Sequence, residues 1–209
     1  MVARLRVVIA AALATAALAA PAANADLIGN LLDNCPTGGS QVFAPWGDSR
    51  NYLPAPNGGF ESGSKGWTLS GGAAVVSGNQ PFLRSGSSSL SLPSGSSALS
   101  PNVCLGTKQL FIRLFAKDSG GTDRGLRVRV YWYGLLNKLL GVSDFATVSA
   151  GGDWRPSDPV NSGGGLLAPL PIVALLSSTS ARIEITPLGG GSQWRIDDLY
   201  IDPYVSRIG

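Results

Sequence analysis

The chain has 209 residues, of which 16 are Lys or Arg, 13 are Asp or Glu and none is His. Without histidine it builds no Ser-His-Asp or Cys-His catalytic site and no His-ligated metal centre, which excludes most hydrolase and metalloenzyme chemistries. Arg4 and Arg6 fall in a segment read below as removable, so the rest carries 14 basic against 13 acidic residues; that near-balance excludes a nucleic-acid-like basic surface.

From the N-terminus, Arg4 and Arg6 precede the apolar run Val7 to Ala20, then Pro21 and the small-residue motif Ala23-Asn24-Ala25. This is the charged, apolar and cleavage-site order of a secretory signal peptide, with cleavage expected before Asp26. An uncleaved anchor is the competing reading, but the run is shorter than the roughly 20 residues a membrane-crossing helix needs. Residues 1–25 are therefore read as signal peptide, leaving 184 residues, a length that favours one domain. No Cys follows the expected cleavage site to carry a lipid, and the last residues form no hydrophobic tail. The expectation is a secreted, extracellular protein with no membrane association after cleavage.

Export also bears on Cys35 and Cys104, the two cysteines of the chain. Outside the cytosol two lone cysteines in one domain usually pair, and closing a loop of about 70 residues destabilises the unfolded chain by roughly 4 kcal/mol. A Cys35–Cys104 disulfide is expected, with a pair of free thiols as the alternative. A Zn site lacks further ligands.

Residues 26–56 form an arm rich in turn formers that also carries Phe43, Trp46 and Tyr52, so it is expected to pack on the domain that follows, residues 57–209. Despite 28 Gly and 14 Pro, that domain reads as short alternating strands joined by small-residue turns. Candidates in order are Trp67 to Leu69, Ala73 to Ser77, Ser88 to Leu92, Gln109 to Lys117, Leu126 to Tyr133, Gly141 to Val148, Ala181 to Pro187 and Gln193 to Asp202. In the fourth, Leu110, Ile112, Leu114 and Ala116 alternate with Phe111, Arg113, Phe115 and Lys117; in the fifth, Val128, Val130 and Trp132 alternate with Arg127, Arg129, Tyr131 and Tyr133. The glycine turn between them predicts a hairpin. Leu166 to Leu176 contains Pro169 and Pro171, which favours a loop into a buried strand, with a short helix at Val173 to Ser177 as the alternative. The fold expected is all-β, a two-sheet antiparallel β-sandwich.

Asn57-Gly58-Gly59-Phe60-Glu61 followed by Gly66-Trp67-Thr68, and the closing run Trp194-Arg195-Ile196-Asp197-Asp198-Leu199-Tyr200-Ile201-Asp202, resemble the opening and final strands of carbohydrate-binding modules of families four and nine. The same segments, with Gln41 to Asp48 and Pro187 to Gly191, are similar to a group of uncharacterised secreted bacterial proteins. The resemblance implies a galactose-binding-like jelly roll whose first and last strands lie close together. It also implies a structural Ca2+ there, for which Glu61 and Asp198 are the carboxylate candidates; the competing reading makes them edge carboxylates bonded to backbone or Arg. Because Asp197 and Asp198 are neighbours on a strand, their side chains are expected to face opposite sides.

Sugar sites stack pyranose rings on aromatics and bind hydroxyls with planar polar groups. The expected hairpin face bearing Arg113, Phe115, Arg127, Arg129, Tyr131 and Tyr133 offers both, and is the binding candidate; the alternative makes the aromatics packing residues and the arginines a solvated face. Trp46 and Trp154, in turn-like surroundings, are the tryptophans placed for exposure at a loop-borne site. Glu61 and Glu184 are the only glutamates, and no carboxylate spacing marks a catalytic acid and base, so no enzyme is expected. The reading is a monomeric, non-catalytic module, requiring no cofactor, that binds a polysaccharide or cell-surface glycan. Its alternative is an extracellular structural or protein-interaction domain without sugar binding.

Overall fold

The computed structural model describes residue 36 and residues 38–83, 86–104, 109–120, 125–161 and 180–205. Thirteen strands occur among them: β1 (Leu53–Pro54), β2 (Thr68–Ser70), β3 (Ala74–Ser77), β4 (Ser88–Pro93), β5 (Ser97–Leu99), β6 (Val103–Cys104), β7 (Gln109–Asp118), β8 (Leu126–Tyr133), β9 (Leu139–Val148), β10 (Arg155–Pro156), β11 (Val160–Asn161), β12 (Ser180–Pro187) and β13 (Gln193–Val205). They form two antiparallel sheets. The first runs β10-β7-β13-β4-β3, with β1 added on β13 and β11 on β7; the second runs β2-β5-β12-β8-β9, with β6 added on β12.

The alternation read from the sequence decides which side of each strand is buried. Leu110, Ile112 and Leu114 of β7, Val128, Val130 and Trp132 of β8, Ile183 and Ile185 of β12, and Trp194 and Ile196 of β13 meet in one core between the sheets. Removing such apolar side chains from water contributes roughly 1.5–3 kcal/mol each and is the main force holding the sheets together.

The expected β7–β8 hairpin does not form, because β7 lies in the first sheet and β8 in the second. The two strands lie on opposite sides of the core instead of side by side. Two strands whose apolar residues face one another across a sandwich carry their other residues on opposite outsides, so Arg113 and Phe115 are separated from Arg127, Arg129, Tyr131 and Tyr133. Loss of the hairpin thus divides the six-residue binding face.

The opening motif gains its reason from the last strand. Ala55 N–H donates to Leu199 O (2.8 Å) and Leu199 N–H to Gly58 O (3.2 Å). A Cβ on Gly58 would stand 2.7 Å from Leu199 O, closer than a side chain tolerates. Asn57 holds the loop that follows: its amide nitrogen donates to Gly63 O and Lys65 O, its amide oxygen accepts Ser62 N–H, and its carbonyl accepts Trp67 Nε1–H. Phe60 packs on Trp67 at 5.0 Å.

The Leu166 to Leu176 segment, the signal segment and Cys35 lie outside the described residues. Cys104 is the one cysteine among the described residues, and no cysteine there is free.

Candidate functional site

Three polar assemblies stand on this frame. The first lies on the outward face of the second sheet. Antiparallel pairing sets Tyr131 beside Arg182, Arg129 beside Glu184 and Arg127 beside Thr186, while β9 sets Asp144 beside Arg129. Arg129 Nε donates to Asp144 Oδ1 at 2.7 Å and its Nη1 lies 3.9 Å from Glu184 Oε2; Tyr131 O–H donates to the same Glu184 oxygen at 3.2 Å. The bond to Asp144 raises the Arg129 pKa, and burial followed by the Glu184 charge raises that of Tyr131. Arg182 is fixed by Nε donating to Ser100 O and Nη2 to Thr68 Oγ1. Arg127 Nε is buried and has no hydrogen-bond partner among the described residues. Arg127, Arg129, Tyr131, Tyr133, Arg182 and Glu184 are half-buried and Asp144 is exposed, so guanidinium donors, carboxylate acceptors and two phenol rings share one sheet surface.

Of the six expected binding residues, four are therefore gathered here, and Arg182 and Glu184 join them. The signal for these two was already in the alternation of Arg182, Glu184 and Thr186 with Ala181, Ile183 and Ile185.

The second assembly holds the other two. On the outward face of the first sheet, Phe43 and Tyr52 of the arm pack on Phe111 and Phe115, all buried. Arg113 Nη1 meets Asp48 Oδ2 at 2.9 Å, and Arg113 Nε donates to Ser157 O at 2.8 Å. Tyr52 O–H donates to Asp48 Oδ2 at 2.8 Å, and Arg50 lies 3.1 Å from Asp48 Oδ1. The Arg113 guanidinium covers the Phe43 ring at 4.2 Å. Burial alone would raise the Asp48 pKa, but the bonds from Tyr52, the Arg50 amide and Arg113 outweigh it and hold the carboxyl below its ordinary value. Arg113 and Phe115 are 4% and 0% exposed and fasten the arm, so neither is open to a ligand.

The third assembly lies at an irregularity of β13. Between Asp197 and Tyr200 the pairing with β7 shifts register, and Asp198 takes a left-handed φ of 46°. Such a bulge re-aims side chains. The expected opposition of Asp197 and Asp198 is cancelled, and both converge on buried Gln80: Asp197 Oδ2 accepts the Gln80 backbone N–H (3.0 Å) and Asp198 Oδ2 its side-chain Nε2–H (2.7 Å). Glu61 Oε1 accepts the Ser87 and Ser88 amides at 2.9 and 2.8 Å.

Burial first, then the charges of Asp198 and Glu61, push Asp197 up to about 7, against the pull of two backbone amides; burial likewise raises Asp198. Between pH 3.8, the ordinary value, and about 7, the folded protein thus keeps a proton that the unfolded chain has released. Stability from this group is full below that window and falls as pH rises through it. The urea midpoint in chelator is expected to drop from pH 5 to pH 8, with Asp197→Asn flattening the slope; a rising midpoint would contradict the assignment. Asp48 acts with the opposite sign, but below its ordinary value, outside this window.

For the donor chemistry of a hard cation, Asp198 Oδ1 is the relevant atom. A Cβ at Gly59 would lie 2.9 Å from it, so any larger residue there would crowd that oxygen. Two crowded carboxylates bonded only to a neutral Gln80 and to amides suit a cation better than a lone ion pair would. Among the described residues no group of three or more His, Cys, Asp or Glu is placed to hold a metal by itself, so main-chain oxygens would have to complete any shell.

The class the fold defines is the antiparallel two-sheet β-sandwich. No family model matches the sequence, and no curated protein does. Among solved structures, the N-terminal CBM22-1–CBM22-2 tandem domain of Paenibacillus barcinonensis Xyn10C is similar over 82% of this chain and 47% of that one, at 14% identity and TM-score 0.50. The CBM22-1 xylan-binding domain of the same protein is similar over 68% of this chain and 89% of that one, at 15% identity and TM-score 0.46. The enzymatically active domain of bacteriophage CBA120 tailspike protein 4 is similar over 71% of this chain and 21% of that one, at 13% identity and TM-score 0.48. The chain spans about half of the tandem domain and a fifth of the tailspike domain, and at these identities the likeness concerns the fold alone.

Proposed function

We propose that the protein is a secreted, monomeric, non-catalytic module that binds a polysaccharide or cell-surface glycan on the outward face of its second sheet. The observation that carries this reading is the row of Arg127, Arg129, Tyr131, Tyr133, Arg182 and Glu184, half-exposed at period two on adjacent strands. Guanidinium and phenol groups donate to sugar hydroxyls, Glu184 accepts from them, and the phenol faces cover the apolar C–H faces of pyranose rings. The narrower likeness to families four and nine rests on the opening and closing motifs. A Cys35–Cys104 disulfide belongs to the same secreted reading.

The row is tested by retention on insoluble polysaccharides. Tyr131→Ala is expected to weaken retention about tenfold, the equivalent of ~1.4 kcal/mol, while leaving the melting temperature nearly unchanged, because exposed polar pairs contribute only ~0–1 kcal/mol. Equal retention of Tyr131→Ala, Arg129→Ala and the parent protein would move the ligand away from this face.

Calcium between the first and last segments, with Asp198 and Glu61 as its carboxylate ligands, is part of the same proposal. The support for it is the crowding of Asp197 and Asp198 and the close approach of Gly59, where a Cβ would stand 2.9 Å from Asp198 Oδ1. A ligand held only by the native state raises its stability by mass action. Millimolar Ca2+ is therefore expected to raise the melting temperature by several degrees over chelator at pH 8, and Asp198→Asn to abolish the difference. An unchanged midpoint removes the metal from the account.

A further inference from the structure

The outward face of the first sheet carries a surface that the reading above leaves unused. Trp46 and Phe82 are 37% and 43% exposed, and meet edge to face at 5.3 Å. Both rest on buried Phe115, at 5.6 and 5.5 Å. Trp154 packs against the same cluster. Lys117 Nζ lies 5.3 Å from the Trp154 ring centroid and the Arg195 guanidinium 5.9 Å, and these two cations are register partners on β7 and β13.

Exposed aromatics in a loop usually cost order as well as solvation, yet this loop is held from beneath. The Gln80 side-chain oxygen accepts both Phe82 N–H (2.7 Å) and Leu83 N–H (2.9 Å), while Gln80 itself, fully buried, is held by Asp197 and Asp198. Trp46 ends a short 3₁₀ turn, Ala44–Trp46, which closes on Gly47 in a left-handed conformation. A rigid aromatic surface binds with little loss of entropy.

The charge beside it is unbalanced. Among the described residues the ion pairs engage Arg50, Arg113 and Arg129; neither Lys117 nor Arg195 has a carboxylate partner. Arg195 donates to Ser89 Oγ and to the Ser77 and Gly78 carbonyls, which fix it without neutralising it. Asp153, next to Trp154, is exposed and pairs with neither cation.

We infer that Trp46, Phe82 and Trp154, with Lys117 and Arg195, form a second binding site, for an acidic, uronate-bearing polysaccharide segment. Apolar sugar faces lie on the rings and the carboxylates answer the two cations. The site is on the opposite outer face from the Arg/Tyr row and does not depend on it.

The test is titration of the full chain with polygalacturonate and with a neutral xylan, read by tryptophan fluorescence at low and at 0.5 M salt. Expected is a saturable change with the acidic polymer, weakened at least tenfold by salt and by Lys117→Gln, and abolished by Trp154→Ala; Tyr131→Ala leaves it intact. Lys117→Gln guards against misfolding, since it alters a partly exposed side chain, and an unchanged melt certifies it. The inference is overturned if the acidic polymer gives no change, if Lys117→Gln binds as the parent does, or if poly-glutamate competes as well as polygalacturonate, which would make the site a general anion or acidic-peptide surface.

Discussion

Arg113→Ala is expected to lower stability by about 3 kcal/mol, because it removes the buried member of the Asp48 ion pairs and leaves that carboxylate only the partly exposed Arg50 as a cationic partner. The residue was read from the sequence as a sugar ligand; in the fold it ties the arm to β7. Its guanidinium serves Asp48, the Ser157 carbonyl and the Phe43 ring at once. For a domain of this size the loss corresponds to a fall in melting temperature on the order of 10 °C. The emission of Trp46 should also shift to the red as the arm loosens. Replacing both partners, Arg113→Met with Asp48→Leu, should recover only part of the loss, since the apolar pair needs no desolvation but leaves Tyr52 O–H and the Ser157 carbonyl without their partners. A single Arg113→Ala that melts like the parent protein would show that the arm is held without this pair.

Phe115→Ala should cost about as much, ~3–5 kcal/mol, by opening a cavity where Phe43, Trp46 and Phe82 converge. The side chain is fully buried. Chemical denaturation of the variant measures the cost, and its acidic-polymer binding should fall because Trp46 and Phe82 lose their support. A variant as stable as the parent, yet unable to bind glycan, would return Phe115 to direct contact with sugar.

These two residues mark where sequence reasoning stops. Alternation says which side of a strand is apolar, and it placed β7 and β8 within a residue of their observed limits. It does not say whether the next strand lies alongside or across the core, since both arrangements bury the same residues. The turn between the two strands, rich in glycine, suits an arch as well as a hairpin. Hence four of the six binding candidates share a face and two lie under the arm.

Short strands such as β1, β6, β10 and β11, two residues each, carry no period to read. The bulge at Asp198 was hidden for a related reason. Strict alternation through Asp197, Asp198 and Leu199 sets the two carboxylates apart, while the left-handed residue brings both to Gln80, which has no sequence signal of its own. By contrast, Asn57, Gly58 and Trp67 were legible as a motif before their bonds to one another and to Leu199 explained it.

The central claim is that glycan binds across the outward face of the second sheet. It is tested most directly by retention of the oxidised protein, residues 26–209, on a panel of insoluble cell-wall and plant polysaccharides, in parallel with folded Tyr131→Ala and Arg129→Ala variants. Saturable retention on at least one polymer, reduced about tenfold in each variant, is the predicted result. No retention on any polymer, or retention indifferent to both substitutions, would contradict it and leave a β-sandwich whose partner is a protein or whose sugar site lies elsewhere.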